Sequence, residues 1–531
     1  MDRYLTKPSA SDEGGLLPER HMQELRTRRT ETSDQLIRKA ARGGGIAFAG
    51  NIVDKGLRFP LEMLLARVLG AGDYGLYTLG YGVATIAGEV SMLGLPSGTV
   101  RFGALYKGAG DIRRVKGTLS SALLMSALSS IAVGGLLFIF SPSLSKMFDM
   151  PKLATVLRIF ACAFPFYVIT LMAGHAAGAF QAVKCQTAVT NICRPLANVA
   201  IVSIVFLLGY RLLGAVCGFL ISSAISALFG LYLLKRIFPD IVSKLKPSYE
   251  VRKLLRFSLP VLCAGFSYVL LGYTDRLMLG YFRASKDLGI YSAAATISQQ
   301  AGLITYSFSY IFCPIISDLY NRNQFGDLER LYKTVTRWIV SLNVMILVLL
   351  ILFSKEIMGM FGPEFTSGWP VLAVLAAVHL LGYVAGGALV GYVLRMSGKQ
   401  DIELINALVM VALNIALNLW LIPRYGILGA AMATGASYAV INVARIVEVY
   451  KLLRIHPYDT NYHKPFVAAF VVVLLSAFLS MVNTSGPYWI ISMAALSIVY
   501  FVVLYFLGLE YEDRMIWETV KRRISNRSFS Q

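Results

Sequence analysis

The chain has 531 residues, of which 56% are hydrophobic and 15% are charged, and its mean hydropathy is +0.62. This composition excludes an ordinary soluble protein, in which about a quarter of the residues are charged. It also excludes a disordered chain, which would be polar and poor in aromatic residues. The net charge of +20 leaves two classes open: a nucleic-acid-binding protein, or a membrane protein whose basic residues lie at one water interface.

Fourteen stretches of the sequence are long and apolar enough to cross a bilayer, which takes about 20 residues. In chain order they cover residues 44–69, 73–94, 117–140, 155–180, 186–208, 213–234, 254–279, 288–314, 335–353, 369–394, 403–422, 427–452, 465–482 and 488–507. Their length and their Leu, Ala, Gly and Met content indicate helices, whereas a membrane β-barrel would show alternating segments of about 10 residues. We therefore expect an all-α polytopic membrane protein with about 14 transmembrane helices.

The positions of the 50 Lys and Arg residues decide between the two classes. When the segments between spans are assigned alternately to the two sides of the membrane, 36 of these residues fall on the side of the N-terminal tail, 7 on the other side and 7 within spans. Such a bias is the positive-inside signal of a cytoplasmic-membrane protein. It predicts that both termini are cytoplasmic, and it argues against nucleic-acid binding because the basic residues are not clustered in one domain.

The basic N-terminal tail, residues 1–43, lacks the apolar region of a cleavable signal peptide. We expect its basic residues to fix the topology, with contact to anionic lipid headgroups as the alternative. The six cysteines lie in or beside spans without a CxxC or His-linked metal pattern. We interpret them as small buried hydrophobic residues, and we expect neither a metal site nor a cofactor.

The chain repeats itself at an interval of about 214 residues. Asp73-Tyr-Gly-Leu-Tyr77 recurs as Asp287-Leu-Gly-Ile-Tyr291. Other matches keep nearly the same register: Met147-Phe148 with Met360-Phe361, Lys184 with Lys399, Asn191 with Asn406, and Gly214-Ala215 with Gly429-Ala430. The copies are six spans apart, so they share an orientation and form a parallel repeat about an axis along the membrane normal.

The repeat predicts four parts of the chain. The cytoplasmic tail (1–43) is followed by an N-lobe (44–245) and a C-lobe (246–455), each with six transmembrane helices. Residues 456–531 add two further helices and a basic cytoplasmic C-terminus. Two such lobes around a central cavity are typical of transporters that work by alternating access.

The first span is unusually rich in charge, since it contains Asp54, Lys55, Arg58, Glu62 and Arg67. Asp54, Arg58 and Glu62 are spaced four residues apart, so they share one helix face and can form two ion pairs. Charges inside a membrane helix usually line a cavity. For Arg67, nearer the outer end, a cavity position and snorkelling to the headgroups remain equally open.

The seventh span carries Asp275 and Arg276 at the position equivalent to the charged end of the first span. Basic residues outnumber acidic ones among these seven, and the arginine donor fork suits phosphate. We therefore expect the phosphate or pyrophosphate of a substrate to bind between spans one and seven. Secondary candidates are Glu89, Asn191, Arg194 and Asn406.

Polar residues in other spans have two interpretations. Gln299, Gln300, Tyr306 and Tyr310 mark the eighth span; such amides and hydroxyls either contact sugars or, more often, join membrane helices by hydrogen bonds. Arg445 and Glu448 have the spacing of an interfacial ion pair. No GxSxG, HExxH or Walker A motif is present. We therefore expect a protein that is not an enzyme, driven by a Na⁺ or H⁺ gradient, the membrane potential or the substrate gradient.

Several segments resemble the polysaccharide-transport flippases, the O-antigen and teichoic-acid exporter branch of the MOP superfamily. In the first lobe the resemblance is carried by Leu65-Ala-Arg-Val-Leu-Gly-Ala-Gly-Asp-Tyr-Gly-Leu-Tyr77, Leu93-Gly-Leu-Pro96 and Arg101. In the second lobe it is carried by Ser258-Leu-Pro260, Asp275-Arg276, Leu288-Gly-Ile-Tyr-Ser-Ala-Ala294 and Pro314-Ile-Ile-Ser317. The match extends over about residues 44–455.

This resemblance implies that the chain flips a polyprenyl-(pyro)phosphate-linked oligosaccharide to the outer leaflet for cell-surface polysaccharide assembly. In the related lipid II flippases, first-span charges line the central cavity, and Glu62 and Arg67 match an acidic and an Arg position there. The implied partners are membrane lipids and a glycan polymerase or glycosyltransferase, with the chain itself a monomer.

Three other functions remain open. A MATE-type drug/cation antiporter has the same two-lobe plan, but its chamber should be acidic. A lipid II flippase is the second alternative. A membrane glycosyltransferase is more remote, because the longest outer segments, near 141–154 and 354–368, are too short to build a catalytic site.

Overall fold

The computed structural model describes residues 19–180, 182–384, 389–481, 489–508 and 510, and most side chains from residue 45 onward. The beginning of the basic tail, the basic segment after 510 and the side chain of Tyr310 therefore lie outside the described residues. All regular structure in the described ranges is helical, which confirms the predicted all-α class.

Seventeen α-helices follow one another in the described part of the chain. They are α1 (Glu19–Met92), α2 (Leu95–Gly108), α3 (Ile112–Met147), α4 (Leu153–Ala179), α5 (Val183–Thr187), α6 (Arg194–Leu207), α7 (Leu212–Ile237), α8 (Val251–Phe282), α9 (Ser285–Ser298), α10 (Gly302–Asn321), α11 (Phe325–Leu352), α12 (Ser354–Gly359), α13 (Trp369–Val384), α14 (Val390–Met396), α15 (Gln400–Leu453), α16 (Lys464–Met481) and α17 (Trp489–Phe506). A π-helical segment, Ala188–Cys193, joins α5 to α6.

Two of these helices contain a break where the chain reverses direction. In α1 the break is at Gly70, with a φ of 72°, and in α15 it is at Gly426, with a φ of 59°. These φ values lie in the left-handed region, where a side chain would be strained. The first and second predicted spans, and likewise the eleventh and twelfth, are therefore joined without a loop.

Ten described helices are long and apolar enough to cross a membrane, or eleven if the bent pair Ser285–Ser309 and Ile311–Asn321 counts as one span. The exact number of fourteen is not confirmed and stays a prediction. Lipid contact is consistent with the exposed apolar residues of α3: Leu124, Leu128, Ile131 and Ile139 are 57–69% exposed.

The helices form two groups that we call the N-lobe (α1–α7) and the C-lobe (α8–α15). Helices α16 and α17 lie outside the repeat and pack on α11, where Ala468, Val472 and Tyr500 cover Val340 and Val344. The Tyr500 hydroxyl donates to the Ser341 carbonyl at 2.8 Å. This addition therefore enlarges the C-lobe and leaves the contact between the lobes unchanged.

The lobes meet at both ends of the molecule. We call the end that carries α2 and the Lys- and Arg-rich segment 235–256 the basic face, and the other end, which carries Gly70 and Gly426, the opposite face. At the opposite face, α1 packs against α9 so closely that a Cβ on Gly75 would lie 1.9 Å from the Ser285 carbonyl oxygen. At the basic face, α2 packs against α8, with Gly94 and Gly98 beside Ser258.

Candidate functional site

The charged face of α1 lies inside the N-lobe and points toward α8. Arg58 forms an ion pair with Asp54, with Nη2 3.8 Å from Oδ1, as the four-residue spacing predicts. Glu62 does not form the second predicted pair. Its carboxylate instead accepts a hydrogen bond from the Tyr74 hydroxyl at 2.9 Å, one turn beyond the break in the helix.

This face opens on a narrow N-lobe cavity of about 30 Å³, bounded by α1, α6 and α7. Its walls include Arg58, Glu62, Tyr77, Tyr81, Arg194 and Asn198. The guanidinium of Arg194 lies 5.3 Å from the centre of the Tyr167 ring. From the C-lobe, the Tyr273 ring lies 6.4 Å from the Tyr81 ring. The cavity therefore lies where the two lobes face each other.

The charges around the N-lobe cavity are mainly basic. Arg276 on α8 lies on the C-lobe side of this contact, beside the Tyr273 ring that faces Tyr81. Its guanidinium lies 5.3 Å from the Tyr273 ring, and its Nε is buried without a hydrogen-bond partner among the described residues. Arg58 and Arg194 on the cavity wall, with Arg276 across the contact between the lobes, form a set of donors that suits phosphate oxygens.

Asp275 is oriented differently from its neighbour Arg276. Its carboxylate is buried in the C-lobe, where Oδ2 accepts from the hydroxyls of Tyr291 and Thr434, both at 2.5 Å. Its Oδ1 accepts from the side-chain amides of Asn418 at 2.7 Å and Asn414 at 3.2 Å. The expectation that Asp275 joins Arg276 at the phosphate is therefore wrong, because four neutral donors hold its carboxylate inside the C-lobe.

Glu62 and Asp275 occupy equivalent places in the two copies of the repeat. They are 213 residues apart, and Tyr77 and Tyr291 beside them are 214 residues apart. Each lobe thus has a carboxylate at its polar centre, but the neighbours differ. Arginines surround Glu62, whereas amides and hydroxyls surround Asp275. The N-lobe centre is suited to an anion, whereas no cationic side chain binds the carboxylate of the C-lobe centre among the described residues.

The remaining candidates lie in other places. Lys55 is exposed on α1, next to Asp54 and three residues before Arg58. Arg67 is exposed at the opposite face, where its Nε donates to the Met360 carbonyl at 2.5 Å. It therefore lies outside the N-lobe cavity and holds the two lobes together.

The secondary candidates are spread over the basic half of the molecule. Asn191 donates to Asn51 at 2.9 Å, and Asn406 donates to Glu448 at 2.6 Å, so both join helices within one lobe. Glu89 lines a cavity of about 390 Å³ between the lobes, together with His175 and Tyr268. Only Arg194 among the secondary candidates lies on the N-lobe cavity.

An ion pair in the C-lobe was not predicted. Arg445 binds Glu403 through two bonds, Nε to Oε2 at 2.9 Å and Nη2 to Oε1 at 2.7 Å, and both residues are buried. Tyr268 donates to the same carboxylate at 2.8 Å. The ion pair between Arg445 and Glu448, one interpretation of their spacing, is not formed: Arg445 binds Glu403, 42 residues earlier on the other half of α15, and Glu448 accepts from Asn406.

The structure also corrects the interpretation of the cysteines. Cys162 and Cys263 are exposed and the other four are half-buried, so they are not core residues. Within the described ranges, no group of three or more His, Cys, Asp or Glu side chains has the arrangement of a metal site.

The lobes are closed over the N-lobe cavity at both faces. At the opposite face, the Glu364 carboxylate accepts from the Ala71 backbone at 2.9 Å, and the Thr78 hydroxyl lies 3.2 Å from that of Ser292. Outside these contacts lies an open vestibule of about 890 Å³, lined in part by Asp73, Lys152 and Asp287.

At the basic face, Glu250 is the centre of the closing contact. It accepts from the Tyr106 hydroxyl of α2 and forms ion pairs with Arg114 at 3.1 Å and Lys253 at 3.2 Å. The Arg101 guanidinium lies 4.4 Å from the centre of the Phe257 ring. The hydrogen bond from Tyr106 and the nearby cations hold the pKa of Glu250 below its usual range.

Residues 40–320 match the family model described as polysaccharide biosynthesis protein. The chain belongs to this family. A second family model, MatE, matches residues 260–420. The chain is thus a multi-pass membrane transporter of the MOP type and not a catalyst, as expected from the absence of catalytic motifs.

Curated relatives cover much of the chain at low identity. The chain is 28% identical over 200 residues to "Probable low-salt glycan biosynthesis flippase Agl15" of Haloferax volcanii, a match of 37% of this chain and 42% of that protein. "Probable flippase AglR" of the same organism is 22% identical and covers 81% of this chain and 88% of its own length. Stage V sporulation protein B of Bacillus subtilis is 23% identical and covers 89% of this chain and 96% of its own.

Solved structures share the fold. Lipid II flippase MurJ in an inward closed conformation superposes with a TM-score of 0.68 at 15% identity, over 89% of this chain and 99% of that one. An inward-facing MATE-family multidrug transporter of the MOP superfamily gives a TM-score of 0.63 at 15% identity, over 75% and 94% of the two chains.

Proposed function

We propose that this protein flips a polyprenyl-(pyro)phosphate-linked oligosaccharide across the cytoplasmic membrane by alternating access. The observation that carries the proposal is the N-lobe cavity, which Arg58 and Arg194 line, with Arg276 of the other lobe beside the Tyr273 ring that faces Tyr81. These guanidinium groups are placed to bind a phosphate where both lobes can release it. Two relatives are named glycan biosynthesis flippase and flippase, which supports this class of substrate.

In this proposal the basic face lies in the cytoplasm, because Lys and Arg are retained on that side. The lipid-linked glycan enters there and leaves through the opposite face. The N-lobe cavity of about 30 Å³ has room for a water molecule and not for a phosphate group. The lobes must therefore separate at one face before substrate can bind.

A MATE-type drug/cation antiporter is the second candidate, since the MatE model matches residues 260–420 and a MATE transporter shares the fold. A chamber for cationic drugs needs an excess of carboxylates. The charged side chains that line the N-lobe cavity are Arg58 and Arg194 against Glu62. This excess of positive charge favours an anionic substrate, which a lipid II flippase would also carry.

We propose further that transport is coupled to a cation or proton gradient through Asp275. Its carboxylate has four donors and no basic partner among the described residues. The Asn418 amide oxygen beside it is buried and has no hydrogen-bond partner among the described residues. A Na⁺ ion would use these oxygens after small side-chain rotations.

The test is leaflet exchange in proteoliposomes that contain fluorescent polyprenyl diphosphate lipids. The wild-type chain should accelerate exchange. Arg58→Ala and Arg194→Ala should each slow it by about tenfold or more, because each removes a charge-assisted contact to phosphate worth about 1.5–3 kcal/mol. The matched control is Arg322→Ala, whose side chain is exposed and pairs with Asp318; this variant should exchange lipid like the wild type.

Two outcomes would contradict these expectations. Normal exchange in both Arg58→Ala and Arg194→Ala would remove the N-lobe cavity as the phosphate site. Efflux of cationic drugs by proteoliposomes that exchange no lipid would overturn the flippase in favour of the antiporter.

A further inference from the structure

A second cavity lies wholly within the C-lobe, between α10, α13, α14 and the second half of α15. Its volume is about 370 Å³, within the range of small-molecule sites. Four tyrosines contribute to its wall: Tyr306, Tyr383, Tyr392 and Tyr438. Such rings offer both flat apolar faces and hydroxyl groups.

The C-lobe cavity carries no net charge. Arg445 is its one cationic wall residue in the described part of the chain, and the two bonds to Glu403 neutralise that cation. A phosphate would lack an uncompensated positive partner here, and a cationic ligand would lack a carboxylate. The cavity therefore suits a neutral ligand that is polar.

Several hydrogen-bonding groups of the wall have no partner among the described residues. They are the ring nitrogens of His379, the side-chain amide of Gln299 and the hydroxyl of Tyr438. His379 and Tyr438 pack edge to face, with ring centres 6.0 Å apart. The Asn442 amide oxygen accepts weakly from Arg445 at 3.4 Å, and its nitrogen is available to a ligand. A ligand with many hydroxyls would satisfy these groups.

Among the described residues, smaller side chains occupy the equivalent place in the N-lobe. Shifted by the repeat interval, Thr305, Tyr438 and Asn442 of the C-lobe correspond to Ser91, Ser223 and Ala227. These three N-lobe residues are at most 3% exposed. Small residues thus close the space in one lobe, and large polar ones hold it open in the other.

We propose that the C-lobe cavity binds a neutral sugar unit of the transported lipid, while the N-lobe cavity binds its phosphate. This assignment rests on the proposed flippase function. Tyrosine faces would pack on the apolar face of the sugar ring, and Gln299, His379, Tyr438 and Asn442 would bind its hydroxyls. The glycan would then be recognised by a different lobe from the one that recognises the carrier.

The experiment compares the protection of two cysteines in a full-length chain whose six native cysteines are replaced by serine. Asn198→Cys reports on the N-lobe cavity and Gln299→Cys on the C-lobe cavity. Labelling by a small membrane-permeant maleimide is followed with two probes. One is bare polyprenyl diphosphate, and the other is the same lipid bearing one of a panel of neutral disaccharides of hexoses and N-acetylhexosamines.

We expect both probes to slow labelling at residue 198 and only a glycosylated probe to slow it at residue 299. The slowing should be about tenfold at a probe concentration of about ten times its dissociation constant. Protection at 198 without protection at 299 by any glycan would overturn the sugar site and leave the flippase intact. Protection at 299 by the bare lipid would also overturn it. The flippase itself fails when neither probe protects residue 198.

A second variant tests the same site without a new thiol. Tyr438→Phe keeps the ring and removes the hydroxyl. It should weaken binding of the protecting glycosylated probe by about fivefold, the effect of one hydrogen bond, and leave bare polyprenyl diphosphate unaffected. Equal weakening of both probes, or of neither, would contradict the assignment.

Discussion

Thr78 and Ser292, which lie 214 residues apart, approach each other to 3.2 Å between their hydroxyl oxygens where α1 meets α9. They occupy equivalent positions in the repeat, so the lobes touch through corresponding residues. The glycines one turn earlier follow the same rule. A Cβ on Gly75 would meet the Ser285 carbonyl and one on Gly289 would meet the Ala71 carbonyl, each at 1.9 Å. A pseudo-two-fold axis therefore passes through this contact.

Cross-linking this contact should stop transport. A disulfide needs Cβ atoms about 3.5–4.5 Å apart, which the Thr78–Ser292 contact allows. In a chain without native cysteines, Thr78→Cys with Ser292→Cys should lose lipid exchange on oxidation and regain it on reduction. Thr78→Cys alone is the control and should be insensitive to oxidant. Unchanged exchange by the oxidised pair would show that the opposite face does not open.

The close approach at Gly75 gives a second prediction. Gly75→Ala places a methyl group against backbone, so it should push α9 away and cost about 1–3 kcal/mol of stability. Gly72→Ala is the same chemical change one turn earlier, where the nearest atom is the Ser285 Oγ at 3.7 Å, and it should be nearly neutral. Melting temperatures of the two purified variants in detergent provide the measurement. Equal melting temperatures would refute the tight contact.

Removing the charge of Asp275 should uncouple transport. Asp275→Asn keeps the shape of the side chain but can neither bind a cation by charge nor take up a proton at neutral pH. Lipid exchange should then no longer respond to an imposed Na⁺ or pH gradient, while polyprenyl diphosphate still protects Asn198→Cys. The control is Asp318→Asn, which changes an exposed carboxylate. A preserved gradient response would assign coupling to another group.

The buried pair Glu403–Arg445 should matter most when only one partner is lost. Glu403→Gln leaves Arg445 buried without its counter-charge, which typically costs about 3–5 kcal/mol. The double variant Glu403→Leu/Arg445→Leu removes both charges and should be more stable than the single one. Glu448→Gln tests a nearby carboxylate whose amide partner, Asn406, stays available, and it should melt near the wild type. Equal stability of Glu403→Gln and the wild type would contradict the pairing.

Closure of the basic face should be independent of pH between about 5 and 8. The pKa of Glu250 is lowered in the folded protein. Its contribution to the stability of the closed basic face is therefore complete above the ordinary glutamate pKa of about 4.3, and it is lost as the pH falls through the lower folded pKa. Tyr106→Phe removes the strongest cause of this shift, so opening should begin at a higher pH.

The pH dependence is measured by maleimide labelling of Ser258→Cys, a buried position at this contact. Its rate is divided by that of Leu105→Cys, which is 56% exposed, to correct for thiol ionisation. A ratio that rises between pH 8 and 5 in the wild-type background would contradict the role of Glu250.

The sequence was sufficient to predict the all-α class and the family, which are confirmed, whereas the lobe boundaries and the phosphate site stay predictions. The repeat places Asp275 and Arg276 at the position equivalent to the charged end of the first span, and the four-residue spacing of Asp54, Arg58 and Glu62 places them on one helix face. The sequence alone does not show that the Asp275 side chain points into the C-lobe. Adjacent residues on a helix point about 100° apart, and only the packing of α15 against α8 decides which of them meets the chamber.

The ion pair between Glu403 and Arg445 could not be predicted from the sequence for a different reason. Glu403 and Arg445 lie 42 residues apart, and only the reversal at Gly426 brings them together. The local spacing of Arg445 and Glu448 suggested a partner that is not used. The C-lobe cavity was equally hidden, because an unfilled volume depends on how four helices pack and not on any one segment.

The contact at Gly75 and Gly289 has the form of the interface in a symmetric homodimer, in which each patch binds a copy of itself. Here the two copies are covalently joined. In a true homodimer, every substitution in the subunit appears twice, so an arginine near one carboxylate would impose an arginine near the other. The fused chain is free of that constraint. It keeps arginines beside Glu62 and amides beside Asp275, so the two duplicated halves can differ in the charge that surrounds their carboxylates.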